Sequence, residues 1–198
     1  MRSLAIAPHH PLMSVLWPAE GRKAELLRAT VLALLGSLAL WASAKIQVPF
    51  WPVPMTMQTY VVLVIGAACG WRLGIATVLL YLAEGAMGLP VFAGTPERGI
   101  GLAYMAGPTA GYLVGFVVAA AFIGRMAELG WDRSLLRMVA AMTIGHLLLL
   151  ACGFTWLALL MGAEKAYAVG VAPFWLATVL KTGLAGATLP LAWHLSRR

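Results

Sequence analysis

Long apolar runs alternate along the chain with short stretches of proline, glycine and charge. The first run covers residues 26–46, with Arg22, Lys23 and Arg28 at its start. It is followed by QVPFWPVPMTMQ (47–58), where Pro49, Pro52 and Pro54 forbid a continuous helix and predict an ordered loop or broken segment. The pattern then predicts a second span over 57–70 and a third over 73–88, joined tightly at Trp71-Arg72 as a helical hairpin. Residues 89–106 mix Pro and Gly with Glu97 and Arg98 and form the longest loop between spans, where function concentrates. Pro108 stands where a first helical residue would, opening a fourth span to residue 126. Glu128, Asp132, Arg133 and Arg137 mark the next connection, a fifth span covers 135–161, residues 162–170 read as a loop, and a sixth span runs over 171–195. Roughly 20 residues cross a bilayer, so the pattern predicts an all-α membrane protein of six transmembrane helices. Residues 1–25 would be a cytoplasmic or interfacial tail without the features of a cleaved signal, and 26–198 a single transmembrane domain.

Composition narrows the class further. Of 198 residues, 62% are hydrophobic and 11% charged, with a mean hydropathy of +0.87, too few charges to coat a soluble domain. The net charge of +7 is spread singly between apolar runs, with no basic stripe or nucleic-acid motif, so nucleic acid is not an expected partner. Instead the basic residues fix an orientation. With both termini cytoplasmic, Arg2, Arg22, Lys23, Arg28, Arg72, Arg125, Arg133, Arg137, Arg197 and Arg198 lie inside, against Lys45, Arg98 and Lys165 outside. Cys69 and Cys152 lack disulfide or metal spacing and read as core thiols.

Two charged residues fall inside spans, Glu84 and Lys181, and each needs a partner. Lys181 either meets an anionic or polar ligand group, with Thr178 one turn earlier on the same face, or pairs with Glu84 as a lock between helices, or snorkels to the interface. Glycines every four residues, at Gly66, Gly70 and Gly74 and at Gly107, Gly111 and Gly115, make smooth helix faces for packing inside the bundle. Ala29 and Ala33 form a similar patch on the first helix. His146, a lone intramembrane imidazole, reads as hydrogen-bonded structure and is left outside the candidate site. There is no carboxylate pair, HExxH, GxSxG, P-loop or metal cluster, so neither an enzyme nor a cofactor is expected.

The stretches VPFWPVPMTMQTY (48–60), YLAEGAMGLPVFAG (81–94), GPTAGYLVGF (107–116) and PFWLATVLK (173–181) resemble the BioY family, the biotin-capturing S subunits of energy-coupling factor (ECF) transporters. The resemblance implies an ECF S-component-like bundle in the cell membrane of a bacterial-type system, binding biotin near its outer face. It further implies as partners a transmembrane T subunit and two ATPase subunits, with self-association left open. Carried over residue by residue, it points to Thr56, Gln58, Tyr81, Glu84 and Lys181 as ligand-binding. Biotin's chemistry adds Trp51 and Phe92 for the thioether ring, Lys181 or Arg98 as the cation for the carboxylate, and Glu84, Gln58 and Thr178 for the ureido group, with the assignment of contacts to the two ends left open. Many family members carry an acidic residue where this chain has Thr178, which leaves Glu84 as the expected countercharge to Lys181. Ala29 and Ala33 resemble the face that such subunits turn toward their transmembrane partner. The rival readings are an S subunit for another vitamin and a structural membrane subunit with no ligand. The 47–58 and 89–106 loops are expected to cover the pocket.

Overall fold

The structure, a computed structural model, describes residues 10–48 and 52–196. A short helix, α1 (Leu12–Leu16), precedes the first long helix, α2 (Arg22–Lys45). The helix thus begins in residues expected to form the tail, because charged side chains at its N-terminal end do not disfavour helix once it leaves the apolar layer. The proline-rich segment forms a two-rung antiparallel ribbon, β1 (Gln47–Val48) against β2 (Met55–Thr56), with Gln47 opposite Thr56 and Val48 opposite Met55.

The second and third expected spans form one helical element, α3 (Gln58–Ala86), interrupted at Gly70, whose φ of 81° and ψ of 169° only glycine adopts readily. The element folds back on itself there. A Cβ added at Gly74 would stand 3.0 Å from the Cα of Gly66, and Gln58 meets Tyr81 across 23 residues of sequence. At about 1.5 Å per residue the two arms measure roughly 18 and 24 Å. The helical hairpin expected at Trp71-Arg72 is therefore present, one residue earlier. At its turn the Glu128 carboxylate accepts the Trp71 backbone N–H at 3.3 Å, satisfying one donor exposed by the break.

After α4 (Gly101–Met105), which lies within the long loop, come α5 (Ala110–Glu128) and α6 (Leu135–Met161). The expected loop over 162–170 is instead a helix, α7 (Ala163–Gly170): Gly162, at φ 84°, ends α6, and no helix breaker follows until Gly170. A 3₁₀ turn at Ala172–Phe174 containing Pro173 then leads into α8 (Trp175–Ser196), four residues later than the apolar pattern predicts. Among the described residues, five helical stretches are long and apolar enough to cross a membrane, with α7 and α8 counted together and the bent α3 counted as one.

The largest interface joins α3 to α5, followed by α5 with α6 and α2 with α3. Small residues make these approaches possible. A Cβ at Gly66 would lie 2.8 Å from the Ala120 carbonyl oxygen, one at Gly124 2.4 Å from the Trp71 nitrogen, and one at Gly115 2.9 Å from the Leu149 carbonyl oxygen. The expected packing role of the glycine stripes is thus met at Gly66, Gly74, Gly111 and Gly115. Leucines such as Leu136, Leu159 and Leu176 face outward, whereas Gln58, His146, Lys181 and Thr182 are buried, the inside-out distribution of a lipid-embedded bundle. At one end Arg125 pairs with Glu128 at 3.3 Å, Arg133 stacks over Trp193 at 4.6 Å, and Pro11 packs at the Gly70 turn. Lys45 and Arg98 belong to the opposite end.

Gly70→Ala should lower thermal stability in detergent by about 1–3 kcal/mol, because the added Cβ meets both backbone strain and the Glu128 and Pro11 side chains. Gly183→Ala, in a helical position with open space around it, is the matched control and should leave the melting midpoint unchanged or raised.

Candidate binding cavity

The cavity opens where the start of α3, the 91–95 loop, α5, the middle of α6 and the start of α8 converge. It holds about 590 Å³ of atom-free space, its open mouth included. Leu113, Phe116, Leu149, Leu150 and Phe174 supply apolar walls, and Thr56, Gln58, Thr59, His146, Thr178 and Lys181 supply the polar ones.

Lys181 lies in the second turn of α8 and is 7% exposed. Its ammonium donates to the Thr56 carbonyl at 3.1 Å and to the Thr59 hydroxyl at 2.9 Å. Both partners are neutral oxygens, so the charge is hydrogen-bonded without being cancelled. Thr178, one turn before, faces the same cavity. The Thr56 hydroxyl in turn accepts the Gln58 backbone N–H at 3.3 Å.

Gln58 anchors a relay. Its side-chain amide donates to the Tyr81 hydroxyl at 2.7 Å, which donates to the Val91 carbonyl at 3.0 Å. The relay ties both arms of α3 to the loop, and Tyr81 stands behind Gln58 instead of lining the cavity. Phe92 is likewise behind the wall. It is 1% exposed, edge-on to Tyr81 at 5.5 Å and stacked on Tyr104 at 4.7 Å, against the space left by Gly85. Tyr104, on the cavity wall, donates to the Ala93 carbonyl at 3.0 Å. Burial raises its phenol above the ordinary value against a smaller lowering by Thr109, so it remains a neutral donor.

The remaining expected site residues are dispersed. Arg98 donates to the Pro52 carbonyl at 3.1 Å, joining the 89–106 loop to the proline-rich segment beside the cavity. Glu84 does not reach the cavity wall. It bonds the Ser37 hydroxyl in a recess lined by Leu34, Leu38, Trp41, Leu89, Pro90 and Val91, so it is not the countercharge to Lys181. On the helix Glu84 is rotated about 60° from Tyr81, at 3.6 residues per turn, and that rotation aims it at α2. Trp51 lies outside the described residues. Ala29 and Ala33 are half-buried on α2, in register with Gly36 and Leu40, which pack into the bundle.

Two contributors escape sequence reasoning. Lys45, expected simply outside, donates to the carbonyls of Phe92 at 3.2 Å and Thr95 at 3.1 Å and so clamps the loop. His146, expected to be structural, lies on the cavity wall with its Nδ1 2.8 Å from the Thr182 hydroxyl. The one signal for it was an ionisable side chain within the spans in addition to Glu84 and Lys181, and nothing in sequence spacing pairs α6 with α8. A cation, an imidazole, hydroxyls and an amide set in apolar walls suit a small ligand with polar groups on an apolar skeleton. Tyr81→Phe, which strands Gln58 and the Val91 carbonyl, should cost about 1–3 kcal/mol, read as a lower thermal midpoint.

The sequence model of the BioY family matches residues 13–198. A probable biotin transporter BioY of Pyrococcus horikoshii is 37% identical over 142 residues, covering 72% of this chain and 82% of that protein. The biotin transporter BioY of Rhizobium etli is 38% identical over 157 residues, covering 75% and 82%. The crystal structure of the S-component for biotin from an ECF-type ABC transporter shares the fold. Its TM-score is 0.74 at 19% identity, over 90% of this chain and 95% of that one.

Proposed function

The chain belongs to the BioY family, and from that premise we propose that it is a multi-pass membrane subunit that binds biotin for uptake. The observation that carries this reading is Lys181, a buried cation held only by neutral oxygens on the wall of a largely apolar cavity. Biotin combines an apolar bicyclic body with two polar ends, a ureido group and a carboxylate. A lysine bonded only to neutral oxygens gains from either an anion or a strong acceptor. Thr56, Gln58, Thr178 and Lys181 are the proposed ligand contacts. Tyr81 and Phe92 hold the wall in place, Arg98 fastens the two covering loops, and Glu84 with Ser37 joins α2 to α3.

The proposed topology has six crossings with both termini cytoplasmic, in the plasma membrane, with residues 1–25 as the tail and 26–198 as the domain. The fold-back at Gly70 and the gathering of Arg125, Arg133 and the Gly70 turn at one end support it. An ECF transmembrane subunit and two ATPases are the proposed energising partners, docking at Ala29 and Ala33 of α2, whose span is the least buried of the five.

Equilibrium binding of labelled biotin to the detergent-purified protein tests the ligand. Lys181→Met should weaken binding at least a hundredfold while the protein remains folded. A folded wild type that ignores biotin but is stabilised by another vitamin would change the ligand and leave the class intact. Leu at both Ala29 and Ala33 should abolish co-purification with the transmembrane partner and leave biotin affinity within twofold of wild type.

A further inference from the structure

Among the described residues, one fully buried side-chain polar atom on the cavity wall has no hydrogen-bond partner in the protein, and it belongs to His146. His146 is 1% exposed, and its Nδ1 meets the Thr182 hydroxyl at 2.8 Å. Its Nε2 is buried without a hydrogen-bond partner. Buried polar atoms are rarely left in that state, because each unmade hydrogen bond costs stability. A side chain serving only to fill space between α6 and α8 could be a leucine at lower cost.

The placement of the ring is specific. Thr182, which holds the imidazole, directly follows Lys181 on α8, and His146 and Lys181 both line the same cavity. The Thr182 contact restrains the ring from rotating, so that Nε2 keeps a fixed direction. A restrained nitrogen and a cation close together form a two-point recognition element. The ammonium can only donate, while Nε2 either donates or accepts, depending on which way the Thr182 hydrogen bond runs.

We propose that His146 is a ligand-contacting, specificity-determining residue whose Nε2 hydrogen-bonds the same polar end of the bound molecule that Lys181 engages. The inference rests on the biotin reading given above. It makes the partner that Nε2 lacks within the protein the ligand itself, and it gives α6 a direct part in recognition alongside α3 and α8.

The test uses the full-length protein in detergent, with biotin, biotinol (carboxylate replaced by alcohol) and biotin methylated on a ureido nitrogen as probes. His146→Phe keeps the ring and removes both nitrogens. Its biotin affinity should fall at least tenfold, and its ligand-free thermal midpoint should drop as well, because the buried Thr182 hydroxyl loses the Nδ1 it bonds. His146→Gln, which retains a polar end, should recover part of the affinity, and His146→Leu serves as the working variant if the phenylalanine form does not fold. The probe that loses sensitivity to Lys181→Met should lose sensitivity to His146→Phe as well. Affinity within twofold of wild type in a folded His146→Phe or His146→Leu protein would overturn the proposal while leaving biotin binding intact. So would sensitivity to His146 and to Lys181 tracking opposite ends of biotin. A folded wild type that binds no biotin would overturn both this inference and the reading on which it rests.

Discussion

Close backbone contact between α3 and α5 is the constraint on which the rest of the bundle depends. Lipid tails are as apolar as leucine, so water does not drive these helices together, and contact has to be won by shape. The chain meets that demand with residues that have little or no side chain. Gly66 rests on Ala120, Gly74 on Gly66, and Gly124 on the Trp71 backbone. The last two contacts exist only because α3 reverses at Gly70, so the break and the glycine faces form one device. The reversal also sets the cavity, because it returns Tyr81 to the level of Gln58 and carries the chain onward to the 91–95 loop.

Polar groups then build a second layer of order across that frame. Gln58, Tyr81 and the Val91 carbonyl make one relay, Lys181 with Thr56 and Thr59 another contact set, and His146 with Thr182 a third. Each joins elements far apart in sequence, and each is shielded from competing water, where hydrogen bonds are strong and unmade ones costly. The loops above are fastened by cations on backbone carbonyls: Lys45 holds Phe92 and Thr95, and Arg98 holds Pro52. These main-chain contacts tie the loops to each other and to the end of α2.

The two sides of the bundle serve different ends. Around the cavity, helices are close-packed and carry the polar side chains. On the other side α2 contacts chiefly α3, and leucines such as Leu26, Leu34 and Leu35 are exposed along it. Glu84 belongs to this second side. Its bond to Ser37 fixes α2 against α3 and gives the membrane-embedded carboxyl group a polar partner.

Much of this was legible in the chain itself. Apolar length gave α2, α5, α6 and α8, and Gly70-Trp71-Arg72 gave the hairpin, because spans and breaks are local properties of composition and backbone freedom. The motifs carried the family, and Thr56, Gln58, Thr178 and Lys181 do share one cavity. Helix rotation and pairing between distant elements were not legible. A turn of about 60° separates Tyr81, pointed at Gln58, from Glu84, pointed at Ser37, and no spacing in the sequence reports which neighbour each face will meet. His146 shows the same limit, since an imidazole in a span becomes a candidate ligand only when Thr182 and Lys181 arrive beside it from another helix. The sequence by itself therefore determined the membrane class, the spans and the inventory of polar side chains, because these follow from local physical chemistry. Only the tertiary structure decided which of those side chains face the cavity and which support it, because that depends on contacts between residues as far apart as Thr56 and Lys181.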